Sequence, residues 1–177
     1  TFVGLDYSPN EFTNNSFLSN EFFLALEKSK SIGKGTGWIP FPIIVKEGDV
    51  VVGCMPIFLK EHSYGEYIFD WAWAEAFQRH GLNYYPKLVC AIPFSPVTGP
   101  RILAKNKEVK DLLVKALEKI MHQHKISSCH FLFTNKDDQK ILNKAGWMHR
   151  QGVQFRWENK EYKNLDDFLK TLSHRKR

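Results

Sequence analysis

One pattern limits this chain more than any other. Between residues 107 and 124, apolar side chains fall at Val109, Leu112, Leu113, Ala116, Leu117, Ile120 and Met121. Those intervals alternate threes and ones over more than three turns, which is the signature of a helix with one apolar stripe. A stripe that wide has to lie on something flat and apolar. The runs on either side supply it: residues 38–45 and 50–60, residues 87–94 and residues 128–134 are short, β-branched and aromatic, as buried strands are. The expected class is therefore α/β or α+β, a sheet with helices packed on it.

The remaining elements are read the same way. Residues 17–29 predict a first helix capped by Ser19. Lys46-Glu47-Gly48-Asp49 between two β-like runs predicts a hairpin, and Pro40, Pro42 and Pro56 place its strands at edges, ends or bulges. Residues 62–83 form an aromatic insert, expected to turn helical from Trp71. Residues 95–100, Ser-Pro-Val-Thr-Gly-Pro, form a turn-rich loop leading to the long helix. Residues 137–144 predict a helix stopped by Gly146, residues 147–157 a last strand, and residues 164–172 the start of another helix. Gly33-Lys34-Gly35-Thr36-Gly37 lacks the spacing of a phosphate loop and reads as a connector.

Composition narrows the function classes. With 43% apolar and 14% aromatic residues among 177, the chain has material for one core, and disordered, collagenous and disulfide-stapled classes drop out. No apolar run reaches the length of a membrane span, and no signal peptide is in view, so a cytoplasmic protein is expected. Cys54, Cys90 and Cys129 are odd in number, widely spaced and set in apolar segments, and so read as reduced core residues. The net charge of +6 is uneven: residues 1–88 carry −3 and residues 89–177 carry +9. A basic half suits an anionic partner, and it equally suits lysines on solvated helix faces. His122, His124, Cys129 and His130 are metal-ligating types without zinc spacing, so no metal is expected.

Several motifs carry a resemblance. The order of strand 87–94, turn 95–101, long helix 107–124, strand 129–134, helix 137–147 ending in Lys144-Ala145-Gly146-Trp147, and strand 148–158 resembles the acyl-CoA N-acyltransferases of the GNAT type. Phe17-Leu18-Ser19, Gly35-Thr36-Gly37-Trp38, the run from Leu59 to Ala74 with its His62-Ser63-Tyr64-Gly65-Glu66-Tyr67 core, Tyr84-Tyr85-Pro86-Lys87-Leu88 and residues 93–101 closely resemble a bacterial FemAB-like family associated with peptidoglycan biosynthesis. The resemblance covers nearly the whole chain.

It implies a GNAT-like mixed, mostly antiparallel sheet with helices on both faces over residues 1–160, with residues 161–177 leading into a second GNAT-like domain. It also implies transfer of an acyl or aminoacyl group to an amine acceptor, either a small molecule or a cell-wall peptide precursor. The donor is then coenzyme A, as acetyl-CoA, or aminoacyl-tRNA. In GNAT-type enzymes the turn before the long helix holds the donor's pyrophosphate, which here points to Thr98, Gly99 and Arg101; Pro96 and Pro100 depart from the glycine-richer pattern. Attack by an amine needs a proton acceptor. Glu66 and Asp70, four residues apart among aromatics, are the candidates, with His62, Tyr64 and Tyr67 as substrate-binding neighbours. The competing assignment makes Glu66 and Asp70 fold-building partners of Arg79 or Lys87. The competing function is a non-catalytic binding or scaffold module that kept the fold.

Overall fold

The structure, a computed structural model, describes residues 11–155 and 157–173. The side chain of Ser19 accepts the Phe22 N–H and opens α1 (Asn20–Lys28), as expected, after a 3-10 turn over Ser16–Leu18. The hairpin also forms: β2 (Ile43–Glu47) runs antiparallel to β3 (Val50–Met55), with a register slip between Val45 and Lys46.

The hairpin is shorter than the sequence suggested. Both runs leave the sheet at a proline, Pro42 on one side and Pro56 on the other. The pieces beyond them, β1 (Trp38–Pro40) and β4 (Ile57–Lys60), pair with each other in a different sheet. Proline has no N–H to give the ladder, so a strand breaks where one falls, and here two breaks at matching positions hand the chain from one sheet to another. The first sheet has the order β1-β4-β5-β7, with β5 (Lys87–Cys90) and β7 (Cys129–Phe131); the second is β2-β3-β6, with β6 (Leu103–Ala104). All pairs are antiparallel except β5 with β7.

Side-chain alternation along these strands divides the core. Val52 and Met55 of β3, Ile57 of β4, and Leu88 and Cys90 of β5 meet Val109, Leu113, Val114 and Leu117 of α3 (Lys107–Gln123), with Leu142 of α4 (Lys136–Lys144) beside them. Their neighbours Val51, Cys54 and Phe58 point the other way, onto Leu18 and Phe23 of the α1 layer. The single expected sheet is thus divided at the prolines into two mostly antiparallel sheets, with helices on both faces, and the architecture is GNAT-like. The four buried α3 side chains, at about 1.5–3 kcal/mol each, hold the long helix to the sheet. Cys54 and Cys90 are buried free thiols, and Cys129 is half-buried and free.

Residues 147–157 depart from expectation: their described members form no strand. Alternation marks which side chains share a face, but a strand also needs a ladder partner, and Val153 and Phe155 stand in solvent without one. The helix expected from residue 164 is α5 (Leu165–Lys170), capped by Asn164. The basic cluster at its end falls largely on residues 174–177, outside the described residues. No helix among the described residues is long and apolar enough to cross a membrane.

Candidate functional site

The register of β4 on β5 sets Lys60 directly opposite Lys87. Two ammonium groups facing each other across a ladder repel, and both of these side chains are completely buried. The chain relieves the conflict within ten residues. After β4 it folds back over the pair through two left-handed positions, Gly65 (φ 78°) and Tyr67 (φ 57°). A Cβ on Gly65 would lie 2.7 Å from the Phe94 ring, so the close approach requires glycine there. The fold-back lowers Glu66 and Asp70 onto the lysines.

The cluster that results is dense. Lys87 Nζ donates to Ser63 Oγ at 2.8 Å, Glu66 Oε2 at 2.8 Å and Asp70 Oδ2 at 2.5 Å. Lys60 Nζ donates to the Tyr64 carbonyl at 3.2 Å, stands 3.9 Å from Glu66 Oε1, and lies 3.7 Å above the centre of the Trp38 ring. Asp70 Oδ2 also accepts from Tyr84 OH at 2.6 Å, and that hydroxyl is 3.2 Å from His130 Nε2 on β7. Ser63 Oγ and Tyr85 OH are 2.8 Å apart. Glu66 Oε1 and Asp70 Oδ1 are buried with no hydrogen-bond partner among the described residues.

Burial and pairing pull these groups in different directions. Burial pushes the Glu66 carboxyl above its usual range against the attraction of Lys87 and Lys60. Burial also pushes Asp70 upward, but hydrogen bonds from Lys87, Ser63 and Tyr84 outweigh it and hold Asp70 below the usual carboxylate value. Burial draws Lys60 down to about 7, and Glu66 only partly opposes it. Burial, with the nearby Lys87 charge, lowers His130 to about 4.

Over the cluster, the same loop turns its aromatic side chains outward. Tyr64 is 67% exposed, Tyr67 57% and Phe69 81%, with Trp71 and Trp73 of α2 (Trp71–Arg79) each at 45%. The His62, Tyr64 and Trp71 rings form a row, with centroids 5.2 and 5.3 Å apart. His62 sits in a notch over Gly37, where a Cβ would come within 2.0 Å of Nε2. The Trp38 indole N–H, like Lys60, donates to the Tyr64 carbonyl. The result is an aromatic shelf whose backbone is fastened from below at Tyr64.

Five of the residues singled out in the sequence therefore meet in one place: Glu66 and Asp70 beneath, His62, Tyr64 and Tyr67 above. The carboxylates pair with Lys87, whereas Arg79 pairs with Glu75 at 3.7 Å on the surface of α2. Thr98, Gly99 and Arg101 lie elsewhere, in a loop fastened to the protein itself. The Gly99 N–H donates to Phe133 O, and the Asn135 N–H to Gly99 O. The buried Arg101 guanidinium donates to the carbonyls of Val97 (2.6 Å), Leu132 (2.9 Å) and Pro100 (3.0 Å). The Arg101 and Ile102 N–H groups both meet the buried carboxylate Asp138 Oδ2. Strand β6 separates this loop from α3, whose first turn is capped by Asn106. Thr98 remains exposed. These groups do not fit a diphosphate cradle in this arrangement, because the N–H groups and the guanidinium that would make one are engaged by carbonyls and by Asp138.

In the sequence Lys87 stood out only as a pairing partner and His130 only as a metal-ligating type, and Lys60, Ser63 and Tyr84 carried no assigned role. The available signal was two lysines bordering apolar strand runs, Ile57-Phe58-Leu59-Lys60 and Lys87-Leu88-Val89-Cys90.

A family model for FemAB-like proteins, described as peptidoglycan biosynthesis/recognition, matches residues 6–177. No curated protein and no solved structure matches the chain.

Proposed function

We propose that this chain, which belongs to the FemAB-like family, transfers an acyl or aminoacyl group to the amine of an acceptor in peptidoglycan metabolism, with the aromatic shelf receiving the acceptor. The observation that carries this reading is the fold of residues 62–73. The run from His62 to Trp73 becomes a shelf of exposed rings over a buried cluster in which burial draws Lys60 down to about 7 and raises Glu66 above the usual carboxylate range.

The chemistry asked of the site is simple. The acceptor's ammonium first gives one proton to a base, the freed amine nitrogen bonds to the donor's carbonyl carbon, the bond from that carbon to the leaving oxygen or sulfur breaks, and that atom departs with the second amine proton. Glu66, raised by burial, is the proton acceptor in this reading. Asp70, held low and fixed by Tyr84, orients Lys87. The condition of the 95–102 loop favours an aminoacyl-tRNA donor over coenzyme A. The basic half of the chain agrees with that choice.

The test is transfer to a lysine-containing cell-wall pentapeptide, with aminoacyl-tRNA and acetyl-CoA supplied in parallel, alongside calorimetric titration with acetyl-CoA. Transfer from aminoacyl-tRNA, lost in Glu66→Gln with the fold intact, is the expected result. Saturable acetyl-CoA binding would reverse the choice of donor. Transfer from neither donor would favour the second reading, a non-catalytic binding module, to which the self-fastened loop also lends support.

A further inference from the structure

The shelf differs in charge from the rest of the molecule. The chain carries +6 overall, yet there is no lysine or arginine from Glu61 to Gln78. The ionised side chains this segment shows to solvent are Glu61 and Glu75, and Glu75 is drawn toward Arg79 at the far end of α2. Lys60 and Lys87, which lie beneath the shelf, are wholly buried and engaged with Glu66 and Asp70. Within this segment a phosphate finds no exposed partner of opposite sign, whereas a cation meets aromatic rings whose faces carry negative quadrupoles. Inside the domain the same chemistry is already in use, with Lys60 Nζ on the Trp38 ring and Lys87 Nζ 5.3 Å from the centre of the Tyr84 ring.

The shelf is also built to stay as it is. Its backbone is held from below at Tyr64 O by two donors and at Glu66 and Asp70 by one ammonium, and it turns through left-handed φ at Tyr67, a conformation that an aromatic residue keeps only when its surroundings impose it. Exposed aromatics on such a fixed support form a prepared contact surface.

We propose that the row His62, Tyr64 and Trp71 is a cation-accepting site that binds an alkylammonium group by its positive charge. The inference rests on reading this face as the acceptor's, and it adds that the acceptor docks as the ammonium ion, before its proton is lost. Polyanions, a nucleic acid included, then engage another part of the molecule.

Titration of the chain with tetramethylammonium, followed through the Trp71 indole N–H resonance, tests it. The neutral isostere tert-butanol is the control, and N-acetyl-lysine methylamide is set against its norleucine counterpart as a second pair. Saturable shifts with the two cations, at least roughly tenfold weaker with the neutral partners and lost in Tyr64→Leu at unchanged melting temperature, are expected. Equal response to cation and isostere would overturn the proposal, as would stronger binding of a single-stranded oligonucleotide at the same resonance. Trp71→Phe, which keeps a ring, should weaken binding without abolishing it when the Tyr64 resonances are followed. The transfer assay is separate: cation binding without transfer leaves this site standing and removes the transferase reading, whereas transfer without cation preference does the reverse.

Discussion

Replacing Lys87 by Met isolates the buried ion cluster beneath the shelf. The substitution keeps the buried volume and removes one ammonium from three acceptors: Ser63 Oγ and Glu66 Oε2 at 2.8 Å and Asp70 Oδ2 at 2.5 Å. Two carboxylates with no exposed surface then remain, with only the more distant Lys60 to offset them. Breaking a buried pair from one side costs about 3–5 kcal/mol, because the charge left behind is neither hydrated nor paired. For a domain of this size that corresponds to a fall of about 6–20 °C in melting temperature. Urea unfolding followed by circular dichroism at neutral pH gives the free energy directly. The same charges make a second demand. Adding Lys60→Met, Glu66→Gln and Asp70→Asn to Lys87→Met removes every charge of the cluster, including the Lys60 ammonium that loss of Glu66 would leave unpaired, so the quadruple variant should recover most of the loss and lie within about 2 kcal/mol of the parent. A single variant within about 1 kcal/mol of the parent would overturn this, as would a quadruple variant no more stable than the single.

Lys60 gives the stability a pH dependence of defined sign. Its folded value of about 7 lies below the 10.5 of an unperturbed lysine, so between those values the unfolded chain holds more protons and stability rises with pH; Lys60→Met should flatten that limb in urea titrations at pH 7 to 10. Gly37→Ala adds a Cβ 2.0 Å from His62 Nε2 at φ 71°, and should cost more than Gly48→Ala, which has φ 60° but open space around it; each carries about 1–3 kcal/mol of backbone strain, and thermal melts compare them. Asp138→Ala removes the acceptor shared by the Arg101 and Ile102 N–H groups and should cost about 1–3 kcal/mol for each donor left unpaired. Faster hydrogen exchange at these two amides is the measurement, and Asp138→Asn should retain most of the protection.

What could be read in the sequence was what local chemistry decides. Ser19 could be read as the cap of α1, because a side-chain oxygen three residues ahead of an unpaired N–H will take it in almost any surroundings, and the start of a last helix at residue 164 was legible too. The α3 stripe was legible as a helix because seven apolar positions at helical spacing have few alternative uses, although Leu112 turns out half exposed and Val114, outside the stripe, is buried. Partner-dependent features were not legible. Residues 147–157 alternate as a strand should, and the pattern cannot tell whether a neighbour offers a ladder. The exchange of sheets at Pro42 and Pro56 needed both breaks to fall at matching points of one hairpin, which only the folded register reveals. In the site, Glu66 and Asp70 could be picked out as carboxylates among aromatics, but Lys60 ends its strand and Lys87 begins its own, where lysine is usually a solvated terminus. Their burial follows from the loop that comes down over them.

That loop and those two lysines stand or fall together. A relative that shortened residues 61–70 would leave two ammonium groups face to face under a lid that no longer carried their counter-charges, and one that changed either lysine first would strand the carboxylates. Drift at these four positions therefore has to pass through an unstable intermediate, so among descendants of a common ancestor Lys60, Glu66, Asp70 and Lys87 should be inherited as a block or replaced as one, even in lineages whose surface aromatics have diverged.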